Sequence, residues 1–350
     1  MTRKTMPQSG HENTVPTLAD VARHANVSTA TVSRCLNSPE RVGQSTRERV
    51  LAAVRELGYA PNFGAQALAA RQTNTIAAVI PTMENAVFAR GLQAFQEELV
   101  RHGKTLLVAS SAYDSELEEQ QVRALVARGA DGLLLIGYDR EPEIYAFLEK
   151  QRVPTLIAWS FDPAQSPPAI GFDNRAAMFA LARQVIGYGH RHIACISAPT
   201  ASNDRARERV RGIRDAKQEA GQDPNTMFLV ETAYGVETGE VALREVMTAA
   251  PETTAVMCVN DVLAVGALRA AREMGLEVPR DLSITGFDDI EIAMLAEPAL
   301  TTVHVPHREM GRRAAGMLIQ ILRDAHSGQS VELPTEIRLR QSLGPARTVE

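Results

Sequence analysis

The sequence predicts a small all-α head joined to a larger α/β body, and three observations carry that prediction. Residues 17–60 place apolar side chains at helical spacing, interrupted by turn residues. From residue 75 onward, short apolar runs alternate with amphipathic stretches, the pattern of parallel strands with helices between them. The charge divides at the same place: residues 1–75 hold nine Lys/Arg against five Asp/Glu, and the remainder holds 28 against 37. A basic head on an acidic body suggests an anionic partner for the head.

Composition sets the outer limits. The chain has 350 residues, 45% hydrophobic and 23% charged, with a net charge of −5, which suits a folded protein of two or three packed units. Its longest apolar runs, such as GLLLIG at 132–137, are far shorter than the roughly 20 residues that span a bilayer, so no membrane partner is expected. Residues 1–16 are polar, lack the apolar stretch of a secretory signal and read as a disordered leader, which predicts a cytoplasmic protein. Cys35, Cys195 and Cys258 have no metal-ligand spacing and lie in apolar runs, so they read as packing residues.

The first helix of the head opens at TLAD, with Thr17 as N-cap and Asp20 completing a capping box, and Leu18, Val21, Ala22 and Ala25 follow at helical spacing. HANVS makes the turn: Asn26 tolerates the left-handed conformation, Val27 is an apolar plug and Ser28 can cap the second helix, residues 29–36. A third helix is expected from STRE, where Ser45 and Glu48 repeat the capping box. It continues through Val50, Leu51, Val54 and Leu57 and stops at Gly58, with Pro61 beyond. The head therefore covers residues 17–61.

On the second helix Val32, Cys35 and Leu36 share one side, which leaves Thr29, Ala30, Ser33 and Arg34 pointing outward. Short hydroxyl donors suit phosphate contact, and an arginine can bond bidentately to guanine. A helix exposed only for solubility would prefer Glu and Lys, and this one has neither. After the head, residues 62–74 include NFGAQALAAR, Ala-rich and too short to hold a helix alone, because nucleation is unfavourable below about 12 residues. This hinge is expected to order only when braced.

The body, residues 75–346, carries strands at IAAVIP, TLLVAS, GLLLIG, TLIAWS, IACISA, AVMCV and SITGF, with helices such as FARGLQAFQEELVRHG and MFALARQVIGYGH between them. Two βα blocks result, about 76–173 and 174–304, with a tail that can return to the first. In a parallel sheet a ligand sits at the C-terminal strand ends, so candidates lie just after the strands. These are Val87 and Phe88 in NAVFA, Trp159, Arg209 in RERVRG, Tyr234 after LVETA, Asn260 and Asp261, and Asp288 and Asp289. Aromatic walls with a few polar anchors are the usual make-up of a sugar-type site. Each has a plainer alternative: an Asn or Asp after a strand also fits as a helix cap, and Trp159 also fits as core.

These residues carry a resemblance. TLADVARHANVSTATVSRCLNSPERVGQSTRERVLAAVRELGYAPN, with AQALAARQTNTIAAVIP after it, resembles the helix-turn-helix head and hinge of the LacI/GalR family of bacterial transcription repressors. The resemblance implies that the positions of Thr29, Ala30 and Arg34 read bases in the major groove. Those of Thr17, Ser28, Thr31, Ser33, Asn37, Thr46, Tyr59 and Asn62 would hold phosphates. It further implies that two hinge helices lie together in the minor groove, where Leu68 inserts as an apolar wedge. Ala30 cannot form a bidentate hydrogen bond, so base readout is expected to lean on Arg34. Gly64 departs from the larger apolar residue common there and lowers helix propensity by about 1 kcal/mol relative to Ala.

For the body the resemblance implies a periplasmic-binding-protein-like fold of two Rossmann-like subdomains, about 76–173 plus 305–334 and about 174–304 plus 335–346. Effector contacts are implied at Phe88, Trp159, Arg209, Tyr234, Asn260 and Asp288, with Arg209 the foremost. The segment also resembles family members that respond to sugar acids such as gluconate. The implied partners are pseudo-palindromic operator DNA, a sugar or sugar-acid effector and a second copy of the chain. The helix containing Phe88, Leu92, Phe95 and Leu99 is expected near the subunit face, although those side chains also suit the sheet. No heptad run follows ILRDAHSGQS, so a dimer rather than a coiled-coil tetramer is expected.

Two rival readings share the scaffold. A periplasmic solute-binding protein would need a secretory signal and would have no use for residues 17–60. An enzyme would use Asp288 and Asp289 as paired acids or His304 and His307 as ligands, but Pro306 breaks the helix that would align the histidines. The sequence has no GxGxxG after a strand, no phosphate-binding Walker loop and no GxSxG, so neither catalysis nor a cofactor is expected.

Overall fold

The computed structural model describes residues 15–60, 72–84, 86–324 and 328–348, with the backbone alone at Asn37. The chain divides into two compact units, Met1–Thr73 and Asn74–Glu350.

The first unit contains α1 (Leu18–His24), α2 (Thr29–Asn37) and α3 (Gln44–Leu57). Thr17 begins α1 with a full capping box: its hydroxyl accepts from the Asp20 amide at 3.3 Å, and the Asp20 carboxylate accepts from the Thr17 amide at 2.9 Å. Asn26 takes the turn with φ 51°, and the Ser28 hydroxyl caps α2 by accepting from the Thr31 amide at 3.2 Å. The expected Ser45–Glu48 capping box does not form. The helix starts at Gln44, behind an uncapped Gly43, so Ser45 already lies inside its first turn, and Glu48 accepts from the Gln44 side chain at 3.0 Å instead. At the other end Gly58, with φ 64°, closes α3 in the left-handed conformation that glycine adopts without a Cβ clash. Val21, Ala22, Ala25, Val32, Cys35, Val50 and Ala53 form the buried centre of the three helices.

The second unit holds two parallel sheets. β1 (Thr75–Ile80), β2 (Thr105–Ser110), β3 (Gly132–Ile136), β4 (Thr155–Ala158), β5 (Ala169–Gly171) and β11 (Val331–Glu332) lie in the order β11-β5-β4-β3-β1-β2. β6 (Ile193–Ser197), β7 (Phe228–Glu231), β8 (Ala255–Cys258) and β9 (Ser283–Thr285) lie in the order β7-β6-β8-β9. β10 (Thr302–His304) pairs antiparallel with β12 (Glu336–Arg338) as a separate ribbon. The chain thus crosses between the two sheets three times: after β5, after β10, and between β11 and β12.

Helices α4 (Ala86–Arg101), α5 (Ser115–Ala127), α6 (Pro142–Gln151) and α12 (His307–Arg323) accompany the first sheet. Helices α7 (Asn174–Gly187), α8 (Asp204–Glu219), α9 (Val236–Ala249), α10 (Asp261–Glu273) and α11 (Glu291–Leu295) accompany the second. Strands β1, β3, β4, β6 and β8 are buried along their whole length, as expected of parallel strands covered on both faces. On α4, Phe88, Phe95 and Leu99 are buried and Leu92 is half-buried, so this apolar stripe packs inward. The edge strands are less covered: β2 leaves Leu107 and Val108 exposed, and β7 is only partly buried. All three cysteines are free and buried.

Candidate functional sites

The head offers an outward-facing surface on α2. Thr29, Ala30 and Arg34 are exposed, while Val32 and Cys35 are buried on the opposite side. Ser28 is exposed at the N-cap, and its hydroxyl also meets that of Thr31 at 2.9 Å. Thr17 is exposed, and Thr31, Ser33, Thr46 and Tyr59 are half-buried. The Asn37 side chain, Asn62, Gly64 and Leu68 lie outside the described residues.

In the body, Val87, Phe88, Trp159, Arg209, Tyr234, Asn260 and Asp288 line one cavity, joined by Tyr113, Asn203 and Arg205. Every one of these follows the C-terminal end of a strand: Val87 and Phe88 follow β1, Tyr113 β2, Trp159 β4, Tyr234 β7, Asn260 β8 and Asp288 β9. Asn203, Arg205 and Arg209 lie at the start of α8, after β6. Sequence reasoning missed Tyr113, Asn203 and Arg205, although the strand-end rule applied to TLLVAS and IACISA would have reached them.

Backbone conformation marks the same place. Among the described residues eight non-glycine positions have positive φ, and five of them, Ala112, Tyr113, Trp159, Asp288 and Asp289, follow β2, β4 or β9 at the cleft. Such residues are held at about 1–3 kcal/mol above the usual conformations, so their clustering here points to side chains aimed for a purpose.

The arginines of α8 are already engaged. Arg209 donates from Nε to Asn174 Oδ1 at 2.8 Å and from Nη1 to the Val259 carbonyl at 2.6 Å, and its plane lies 3.7 Å from the centre of the Phe287 ring. Arg205 donates to Asp204 at 2.8 Å and across the cleft to the Ile136 carbonyl at 3.1 Å. Two more contacts span the cleft: the Tyr138 amide donates to Asp204 at 2.7 Å, and Arg207 pairs with Asp139 at 2.6 Å. With the subdomains latched in this way, the space among the lining residues is only about 20 Å³.

Two buried polar atoms in this wall make no hydrogen bond, Asn260 Nδ2 and Asp288 Oδ1. Asn260 also caps α10, its Oδ1 accepting from the Leu263 amide at 2.9 Å, so the helix-cap reading and the cleft-wall reading both hold for one side chain. The nearest cation to Asp288 Oδ1 is Arg209 at 3.5 Å. Burial outweighs Arg209 and Arg205 and raises the Asp288 carboxyl to about 6. Trp159, 2% exposed, is core as well as wall: its Nε1 donates to His307 Nδ1 at 3.2 Å, and His307 Nε2 reaches the Asp288 carbonyl at 3.2 Å. Burial lowers His307 to about 3, which keeps the ring neutral and able to accept from one side while donating to the other.

The other acidic candidates serve the framework. Asp261 accepts from Thr302 and from the Ile290 amide, and Asp289 accepts from Arg340 at 2.6 Å and pairs with His304 at 2.9 Å; neither lines the cavity. Asp288 and Asp289 therefore do not form a catalytic pair, because their carboxylates serve different places. Among the described residues no group of three or more His, Cys, Asp or Glu could hold a metal ion.

Comparison with known proteins decides the family. Residues 17–62 match the model for bacterial regulatory proteins of the lacI family, and residues 182–343 match the periplasmic binding protein-like domain. Over 324 residues the chain is 33% identical to the HTH-type transcriptional repressor CytR of Escherichia coli (strain K12), covering 92% of this chain and 94% of that one. The chain belongs to the LacI family. Among solved structures, the lac repressor dimer bound to operator and the anti-inducer ONPF superposes with a TM-score of 0.83 at 27% identity, covering 94% of this chain and 99% of that chain. The transcriptional regulator CelR in complex with cellobiose gives 0.68 at 29% identity, covering 93% and 99%. As a LacI-family member the protein is a DNA-binding transcriptional regulator, with the helix-turn-helix head and the periplasmic-binding-like body that the sequence resemblance implied.

Proposed function

We propose that the protein is a cytoplasmic homodimeric repressor of carbohydrate catabolic genes, released from or fixed to its operator by a neutral, polyhydroxylated effector. In this reading Arg34, with Thr29 and Ala30, reads bases. Thr17, Ser28, Thr31, Ser33, Asn37, Thr46, Tyr59 and Asn62 position the phosphate backbone, and Leu68 wedges the minor groove. The body is a binding module with no catalytic duty. Exposed apolar side chains on the edge strand β2, Leu107 and Val108, and on helix α4, Val100, support a second copy of the chain as partner.

The observation that carries the effector class is a pair of buried atoms without a hydrogen bond, a donor on Asn260 and an acceptor on Asp288 whose one partner is the Arg209 charge at 3.5 Å. A hydroxyl both donates and accepts, so adjacent sugar hydroxyls would satisfy both. Val87, Phe88, Trp159, Arg209 and Tyr234 would complete the wall. A sugar acid such as gluconate is the second reading, favoured by Arg205 and Arg209. It ranks lower because both guanidinium groups already have partners and Asp288 would repel a carboxylate. Thermal unfolding of the full chain with sugars, sugar acids and sugar phosphates tests the choice, since a ligand at about 100 times its Kd adds about 2.7 kcal/mol. Stabilisation by sugar acids alone would overturn the neutral-ligand reading.

A further inference from the structure

On the far side of the second sheet from the cleft, a hollow of about 610 Å³ opens at the N-terminal ends of β6, β7 and β8. That is the volume of a small-molecule pocket. Lys217, in the last turn of α8, lines it and is 1% exposed. Its Nζ donates to the Arg191 carbonyl at 3.2 Å and to Gln222 Oε1 at 3.3 Å, two long bonds to neutral oxygens. Among the described residues no carboxylate forms an ion pair with it. Buried cations elsewhere in the body are paired: Arg140 with Glu118 at 2.8 Å, Arg205 with Asp204 at 2.8 Å and Arg209 with Asp288 at 3.5 Å. A lysine near a helix C-terminus suits the helix dipole, but an exposed one gains that too, whereas a buried ammonium ordinarily has an anion beside it. Burial pushes the Lys217 ammonium below its ordinary range, against the opposing pull of Asp223.

We propose that this hollow is a second ligand site, separate from the cleft, for a phosphate ester whose phosphate group takes the place of Gln222 on Lys217. Gln222 is half-buried, lines the hollow and supplies one of the two weak bonds to Nζ, so its side chain is the one that gives way. A charge-assisted bond to phosphate is about twice as strong as the neutral bond it replaces. Arg191 and His192 stand exposed at the rim above, and Glu252 is the sole carboxylate among the lining residues. The hollow is much larger than a phosphate group, and Met227 and Phe228 give it an apolar side, so the organic part of an ester has a place to lie. The site does not depend on what the cleft binds. Along α8, about 18 Å of helix separate Lys217 from Arg205 at the cleft, so both sites can be occupied at once.

Calorimetric titration of the full chain with phenyl phosphate, inorganic phosphate, benzoate and phenol tests this. Phenyl phosphate is expected to bind most tightly, inorganic phosphate more weakly, and phenol not at all. Lys217→Met keeps the buried stem and removes an ammonium that lacks a counter-charge, so it should melt no lower than the parent while losing about tenfold or more in affinity for phenyl phosphate. Arg191→Gln, at an exposed rim position where folding is not at stake, should lose affinity severalfold. Unchanged affinity in Lys217→Met or in Arg191→Gln overturns the site, as does the absence of phenyl phosphate binding at millimolar concentrations. Benzoate binding as tightly as phenyl phosphate overturns the assignment to phosphate, and equal binding of inorganic phosphate overturns the ester. None of these outcomes bears on the sugar reading of the cleft.

Discussion

In the head, Val21, Val32 and Val50 are fully buried while Thr29, Ala30 and Arg34 stand exposed; in the body, Trp159, Arg209 and Asp288 are both core and cleft wall. The head separates the residues that fold it from those it presents to a partner. In the body one side chain serves both ends: Arg209 ties Asn174 to the Val259 carbonyl while lining the cavity, and Asn260 caps a helix while leaving a donor in the cleft. Substitutions should therefore split stability from recognition in the head and confound them in the body.

The harshest test of that contrast is Arg209→Ala. Removing one member of a buried charge pair leaves the other uncompensated, and a loss of about 3–5 kcal/mol is expected, read as a lowered unfolding midpoint together with lost effector response. Unchanged stability would mean that Arg209 is held more loosely than its contacts imply. Arg34→Ala should do the opposite, weakening preference for the operator over unrelated DNA by about 1–3 kcal/mol in an anisotropy titration while melting like the parent. Ser28→Ala sits between, because Ser28 is both a cap and a proposed phosphate contact. A loss of about 1 kcal/mol in head stability is expected, with effector binding untouched.

A further effect is one of pH. The Asp288 carboxyl lies at about 6 in the folded chain, above its ordinary 3.8, because burial disfavours the charge. The stability it contributes as a neutral group is therefore fully present below about pH 4 and is lost as pH rises through 6. Across pH 5 to 7, Asp288→Asn should show a flatter profile of melting temperature than the parent. Identical profiles would assign any pH dependence there to other groups.

The same contrast governs what could be read from the sequence. Helix caps and glycine stops are local, so Thr17, Ser28 and Gly58 were legible, and the one cap misread, at Ser45, failed because α3 begins a residue earlier behind Gly43. The long strands announced themselves as apolar runs. β5, β10, β11 and β12 did not, since two or three residues carry no periodicity and exist through their pairing partners. For the cleft, position after a strand was enough to bring seven candidates into one cavity. Tyr113 also follows a strand, so its position was legible after TLLVAS; its aim into the cleft was not, because that depends on two successive left-handed residues, Ala112 and Tyr113, that no propensity favours.

Trp159 is the only tryptophan in the chain, and it stands in the cleft wall, edge-on to Phe88 at 5.4 Å and hydrogen-bonded to His307. All indole emission from this regulator therefore originates at the place where the effector is proposed to sit. A ligand that enters, or subdomains that part, will change its colour and its access to a soluble quencher, so the molecule carries its own optical probe of occupancy without any label.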